Sequence, residues 1–309
     1  MAQEQPLQDP VAAATAAAAP PSEEELSSIE ARQVKLQKPL PASIISPEKL
    51  EYAQGVIAKD KAIKPFWVNK YKNEAAKNWD RFYKRNETRF YKDRHWIERE
   101  FSIFSSSSTA AEGEEETKIN CLEIGCGVGN FIFPVLDLNK RLFMYACDFA
   151  PHAIELVKQH EDYPQGRCSA FVCDLTKDPL TDTIPAGSLD IVSSIFVLSA
   201  IPAEKLEAAV RNIKEVMKPG GMICFRDYAV YDAAQVKFSS NPGRMLDTNL
   251  YVRQDGTMSH FFSVEQMTEL FEREGFRVEE CGYVHRETIN RAMDLSLDRR
   301  FLQAKFIKL

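Results

Sequence analysis

The sequence predicts an open α/β fold: a doubly wound, mostly parallel sheet with helices on both faces, preceded by a helical segment rich in bases and aromatics. Three observations predict it. An apolar run (Ile119, Cys121, Leu122, Ile124) stops at three alternate glycines, Gly125, Gly127 and Gly129, and a helical pattern follows. Two later apolar runs each end in an acid, Asp148 and Asp174. A helical stripe then stops at Lys218-Pro-Gly-Gly and turns into a further apolar run.

Each element has a local reason. The run 119–124 reads as a strand delivering its C-terminal end to a tight turn, where bare backbone lets a ligand approach that any Cβ would obstruct. Leu142–Cys147 is the second strand, and Asp148 at its tip is placed to accept hydrogen bonds from both hydroxyls of a ribose. Phe171–Leu175 reads as a third strand whose Asp174 can accept from an adenine amino group while Leu175 stacks on the ring. Leu189–Ala200 is almost wholly apolar, as expected for a strand covered on both faces. A helix over Pro202–Met217 carries Leu206, Ala209, Val210, Ile213 and Val216 on one stripe. The Pro-Gly-Gly turn ends it and begins strand Met222–Phe225. Asp255-Gly256, between 250–254 and 257–262, has the two-residue hairpin signature. Ser263-Val-Glu-Gln is a capping box for a helix ending at Gly275, and strands 276–287 and 301–309 close the sheet.

The glycine turn is not a nicotinamide-type turn. That motif, G-x-G-x-x-G/A, needs a small residue three after its second glycine, and here the slot holds Asn130. Glu123 also sets a negative charge beside the loop, which suits a cationic ligand better than a pyrophosphate. With Asp148, Asp174 and the Pro-Gly-Gly turn in this order, the chain resembles the class I S-adenosylmethionine-dependent methyltransferases. The resemblance implies a Rossmann-like seven-stranded sheet and S-adenosyl-L-methionine as cofactor.

Composition narrows the class. Residues 1–45 combine an Ala/Val run (Val11–Ala19), recurring prolines and the acidic cluster Glu23–Glu25, and are expected to be a disordered tail. The tail lacks the basic start and apolar core of a secretory signal, and its first arginine is Arg32, against an arginine-rich presequence. No apolar run approaches the ~20 residues of a membrane span. The seven cysteines include no C-x-x-C pair, so reduced core thiols in a cytoplasmic or nuclear protein are expected, with no metal. The net charge of −6 hides a basic segment: residues 59–99 hold 13 Lys/Arg against 6 Asp/Glu, nine aromatics and all three tryptophans. Bases interleaved with aromatics suit phosphate contact and base stacking, and equally suit a cap that packs on the catalytic domain. The expected organisation is a tail over 1–45, a helical RNA-binding cap over 46–111, and a methyltransferase domain over 112–309. The acidic loop Glu112–Glu116 reads as linker.

Asn78-Trp-Asp-Arg-Phe-Tyr83 and Lys92-Asp-Arg-His-Trp96, together with Glu123–Asn130, Tyr145–Phe149, Cys173–Thr176, Ile195–Ala200, Phe225–Tyr228 and Tyr251–Thr257, resemble the eukaryotic methyltransferase-like enzymes that form 3-methylcytidine in tRNA. The match runs from about residue 65 to the C-terminus. It implies methylation of N3 of the cytidine that opens the anticodon loop, with cofactor contacts at Trp79, Tyr83, Gly125, Asp148, Asp174, Leu175 and Ile195. Trp79 and Tyr83 are four apart on one helix face and could fold over a sulfonium, whose charge favours aromatic faces. Ile195 would line the adenine slot or fill the core. Asp227 is the expected catalytic group, stabilising the cationic product or gripping the cytosine amino group. Arg226 would hold it by an ion pair, although a purely structural pair fits the sequence equally well. Lys84, Arg85, Arg94, His95 and Arg253 are expected to contact RNA in the anticodon arm. Family members that work with a partner imply help from a seryl- or threonyl-tRNA synthetase or another tRNA-binding protein. A small-molecule methyltransferase of the same fold, and a silent methyltransferase fold serving as an RNA-binding subunit, remain alternatives on the sequence.

Overall fold

The computed structural model describes residues 45–105, 118–290 and 295–309. The expected tail (through residue 44) and the acidic loop Glu112–Glu116 lie outside them. Seven strands form one sheet in the order β3-β2-β1-β4-β5-β10-β9. These are β1 (Ile119–Ile124), β2 (Leu142–Asp148), β3 (Cys168–Val172), β4 (Leu189–Ile195), β5 (Met217–Tyr228), β9 (Phe276–Asn290) and β10 (Leu295–Lys308). The first five are mutually parallel, and β10 runs antiparallel between β5 and β9. The chain winds outward from β1 to β3 and then returns to β4. The reversal between β1 and β4 opens a crevice at the carboxyl ends of the strands, where ligands of such sheets bind.

Strand alternation divides the core into two layers. Leu122, Val192, Ile223 and Phe225 face helix α7 (Leu206–Val216) and helix α9 (Val264–Arg273). Their neighbours Cys121, Ile191, Ile195 and Cys224 face α5 (Ile132–Leu138), α6 (Pro151–Gln159) and the buried Ile97, Phe101 and Phe104. The predicted stripe on α7 is buried throughout, each of its larger side chains contributing roughly 1.5–3 kcal/mol. Ser263 caps α9 by accepting the Gln266 N–H at 3.1 Å.

The cap comprises α1 (Pro47–Ile57), α2 (Pro65–Asn73), α3 (Ala75–Asn86) and the short α4 (Ile97–Glu100). Ile63, Val68, Tyr71 and Ala75 pack against Leu246, Leu250, Val252 and Met258. Those partners belong to a separate three-stranded sheet of β6 (Met245–Asp247), β7 (Leu250–Val252) and β8 (Met258–His260), which follows α8 (Ala233–Ser239). The structure corrects the sequence reading at several points. The third strand, read as Phe171–Leu175, is β3 at Cys168–Val172 and stops before Asp174. Val252 pairs with Met258, so the hairpin loop spans 253–257 rather than two residues, and β6 is an additional strand. The fourth strand stops at Ile195, because Phe196 takes a left-handed φ of 61° and a 3-10 turn follows at Leu198–Ala200. Strand β5 begins at Met217, earlier than the apolar pattern suggested.

Candidate functional site

The glycine turn closes β1 at the crevice. Gly125 and Gly127 both have φ 55°, a conformation costly for residues with a Cβ. A Cβ on Gly125 would lie 2.7 Å from the Val197 methyls, and one on Gly127 would lie 2.9 Å from the Tyr83 hydroxyl. The glycines therefore admit the protein's own side chains over the turn, where the sequence reading had assigned that space to a ligand. The turn is held by Asp148, whose Oδ2 accepts the Gly127 N–H at 3.0 Å and whose Oδ1 accepts the Ala150 N–H at 2.9 Å. Burial pushes the Asp148 carboxyl up to about 6.

The cap supplies the opposite wall. Trp79 and Tyr83 stack at 5.9 Å with planes 29° apart, and both line the cleft with Gly125, Asp148, Asp174 and Leu175. Helix α3 is fastened on two sides. Asp80 Oδ1 accepts the His152 N–H at 3.0 Å at the start of α6, and Asn78 Nδ2 donates to the Gly256 carbonyl at 3.0 Å in the β7–β8 loop. The Trp79 indole Nε1 is buried with no hydrogen-bond partner, an orphan donor of the kind that a polar ligand group satisfies. Asp174 Oδ1 accepts from Thr176 N and Oγ1 at 3.0 and 2.7 Å, while its Oδ2 pairs with Lys177 Nζ at 2.7 Å. Leu175, Val197, Ile201 and Pro202 form an apolar slot beside it.

Glu123 modifies the charge expected beside the loop. Its side chain is buried and Oε2 has no partner. Burial pushes its carboxyl well above the usual carboxylate range, and the nearby Arg94 guanidinium acts against that rise.

On the acceptor side the structure separates residues that the sequence placed together. Arg226 and Asp227 are adjacent on β5, so they point to opposite faces of the sheet. The Arg226 guanidinium lies over the Trp96 ring at 4.5 Å and 3.9 Å from Glu100. Asp227 is fully buried, its Oδ2 accepting the Ser199 N–H at 2.9 Å and its Oδ1 the Tyr228 N–H at 2.8 Å. The expected ion pair is therefore corrected: each residue holds a different part of the scaffold. Of the two places open to Ile195 the structure takes the core, where its side chain is buried with Ile97 and Phe101, and its two successors, Phe196 and Val197, line the cleft instead. Arg94 turns inward, donating from Nη1 to the Ile195 carbonyl at 3.0 Å. Arg253 is half-buried and bonded to the Tyr91 hydroxyl. Lys84, Arg85 and His95 are exposed, with Lys84 paired to Asp80 at 2.8 Å.

Sequence reasoning missed Phe196. Within an apolar run it carries no signal, yet it is a bulky residue in the left-handed region, a conformation costing on the order of 1–3 kcal/mol. Three bonds enforce it: Phe196 N–H to the Arg226 carbonyl at 2.8 Å, Arg94 to the Ile195 carbonyl, and Ser199 N–H to Asp227.

Comparison with known proteins decides among the sequence alternatives. A family model described as a methyltransferase domain matches residues 122–223. The human tRNA N(3)-cytidine methyltransferase METTL6 is 45% identical over 88% of this chain and 93% of its own length. The chain belongs to the tRNA N(3)-cytidine methyltransferase family. The Saccharomyces cerevisiae tRNA(Thr) (cytosine(32)-N(3))-methyltransferase is 40% identical over 76% of this chain and 37% of its own. A solved S-adenosylmethionine-dependent methyltransferase from Methanosarcina mazei matches 63% of this chain and 94% of its own, with TM-score 0.50 and 17% identity, a likeness of fold.

The cofactor of this N(3)-cytidine methyltransferase fold is S-adenosylmethionine, and the cleft fits it. Asp148 would take the ribose, Asp174 and Leu175 the adenine, and Trp79 with Tyr83 the sulfonium side, where an orphaned indole N–H is available. The cofactor, when bound, supplies an electrophilic methyl group on a cationic sulfur. The protein's own residues would bind and orient it. Tyr83 has its hydroxyl kept protonated by burial and by the neighbouring Asp148 carboxylate, so it stays a neutral donor over the glycine turn.

Proposed function

We propose that this enzyme methylates N3 of a cytidine in tRNA, at the first position of the anticodon loop. The observation that carries the reading is a basic, aromatic cap fastened directly over a methyl-donor cleft. A cap of that composition suits a substrate that is polyanionic outside and planar at the reacting end. The match to family members over most of the chain supports the acceptor, and the name of the yeast relative supports the position.

The chemistry asks for positioning rather than proton transfer. Neutral cytosine N3 carries an in-plane lone pair, so no group need remove a proton before attack. The base must leave the stack, which costs less in a loop than in a duplex, and present N3 in line with the methyl–sulfur bond. Lys84, Arg85 and His95, exposed on the cap, would contact phosphates, while Arg94 and Arg253 would act at the mouth of the site. Asp227 and Arg226 serve as positioning residues, the first for the 196–199 turn and the second for the joint between α4 and β5. A seryl- or threonyl-tRNA synthetase or another tRNA-binding protein would present the tRNA, since the basic segment is a small part of an acidic chain. The reaction would take place in cytoplasm or nucleus, where the thiols stay reduced. Nucleoside mass spectrometry of tRNA from cells lacking the protein tests this reading. Loss of 3-methylcytidine from specific tRNAs, restored by the wild-type gene, is expected; unchanged 3-methylcytidine in every tRNA would refute it.

A further inference from the structure

The strained residue has a specific setting. Phe196 lines the cofactor cleft on one side. Its ring also faces Tyr228 at 5.1 Å and Phe301 at 5.3 Å, and Arg94 lies over it at 5.6 Å. The three rings are half-buried, unlike the closed aromatic core around Phe225 and Phe271. Beyond them, Tyr91 from the cap bonds Arg253 from the β7–β8 loop, and the charge of Arg253 is felt at Tyr228. Arg299, over Tyr228 at 5.7 Å, is neutralised by Asp232 at 2.9 Å. Arg253 has no carboxylate within ion-pair distance among the described residues.

An aromatic wall bordering the methyl-donor cleft, with a guanidinium at its far edge that is held by the Tyr91 hydroxyl and sits in no ion pair among the described residues, matches a flat heterocycle carrying a carbonyl oxygen. We propose that Phe196 is the platform on which the acceptor base stacks, with Tyr228 and Phe301 as side walls and Arg253 donating to the base's exocyclic oxygen. The inference rests on the reading of the enzyme as a base methyltransferase and names the acceptor site within it. It also gives the left-handed backbone a purpose. A relaxed φ at residue 196 would carry the strand onward, as the sequence suggests, and turn the ring away from the boundary of cleft and wall.

Phe196→Gly separates ring from turn, because glycine adopts a positive φ freely and so keeps the backbone while removing the platform. Phe196→Tyr keeps both. Each variant is assayed for cofactor affinity by calorimetry and for kcat/KM with tRNA. Each is also assayed for fluorescence of an anticodon stem-loop carrying pyrrolo-cytidine at the acceptor position. Base–aromatic stacking corresponds to a 10- to 100-fold change. For Phe196→Gly that loss is expected in kcat/KM, with cofactor affinity falling clearly less than kcat/KM and the stacking quench abolished; Phe196→Tyr should recover most of both. If Phe196→Gly keeps kcat/KM within threefold, the residue matters only as a turn and the proposal fails. An equal loss of cofactor affinity would assign the ring to the cofactor and also overturn it. Failure of the wild-type enzyme to make 3-methylcytidine would instead defeat the underlying function.

Discussion

Replacing Asp227 with asparagine tests whether this buried acid works through the turn it holds. Its Oδ1 accepts the Tyr228 N–H at 2.8 Å and its Oδ2 the Ser199 N–H at 2.9 Å, the Ser199 hydroxyl and the Val197 N–H also bond the carboxylate, and the side chain has no exposure. An asparagine of the same shape offers one acceptor oxygen and sets an NH2 group against the other N–H. Leaving one buried donor unsatisfied costs about 1–3 kcal/mol. In a domain of this size each kcal/mol shifts Tm by about 2–4 °C, so Asp227→Asn should lower Tm by about 2–12 °C. The same loss frees Ser199 and, with it, the enforced conformation of Phe196. Turnover should therefore fall at least tenfold, with cofactor affinity reduced less. Thermal denaturation and steady-state kinetics on one preparation check both. A variant with unchanged Tm and a hundredfold loss of kcat would refute this reasoning, because it would mean the carboxylate touches the reacting base.

Asp148→Ala removes the group that holds the glycine turn and would receive the ribose; calorimetry should show cofactor binding weakened at least tenfold, and unchanged affinity would remove the assignment. The pH dependence follows from the same residue. Its folded pKa of about 6 lies above the unfolded value near 3.9, so the protonated carboxyl contributes stability that is fully present below the unfolded value and is lost as pH rises through about 6. Acidification from pH 7.5 to 5.5 should thus weaken cofactor affinity, by protonating the acceptor, without this group unfolding the protein; affinity that is flat over that range would contradict the role. Reversing Lys84 and Arg85 to Glu should weaken tRNA binding and flatten its salt dependence while leaving cofactor affinity within twofold. Equal loss of both would make that face of the cap structural.

The sheet was legible because each parallel strand announces itself by an apolar run, although the runs at 171–175 and 189–200 overran the strands' true ends. The alternate glycines, Asp148 and Asp174 place the cleft without reference to any contact. Trp79 and Tyr83 were legible for a local reason as well: residues four apart in a helix share a face. Ile195 stayed open between slot and core because an apolar run buried on both sides has no visible phase, so its inward and cleft-facing positions look alike. The separation of Arg226 from Asp227 was available from strand alternation and was overridden by their adjacency. Phe196 was not legible, since a left-handed aromatic is imposed by bonds from Arg94, Arg226 and Asp227 that close only in the fold. The β6 strand is three residues long and sits beside Gly243 and Asn249, so no periodicity could reveal it.

The central claim is the identity of the methylated atom. Purified protein, with seryl- or threonyl-tRNA synthetase added, can be incubated with tRNA and S-adenosylmethionine carrying an isotopically labelled methyl group. The tRNA is then digested and its nucleosides separated by liquid chromatography with mass spectrometry. Label in 3-methylcytidine, arising from the anticodon loop and lost in Asp148→Ala, is the result expected. Label in 5-methylcytidine, in another nucleoside or only in protein would contradict the claim.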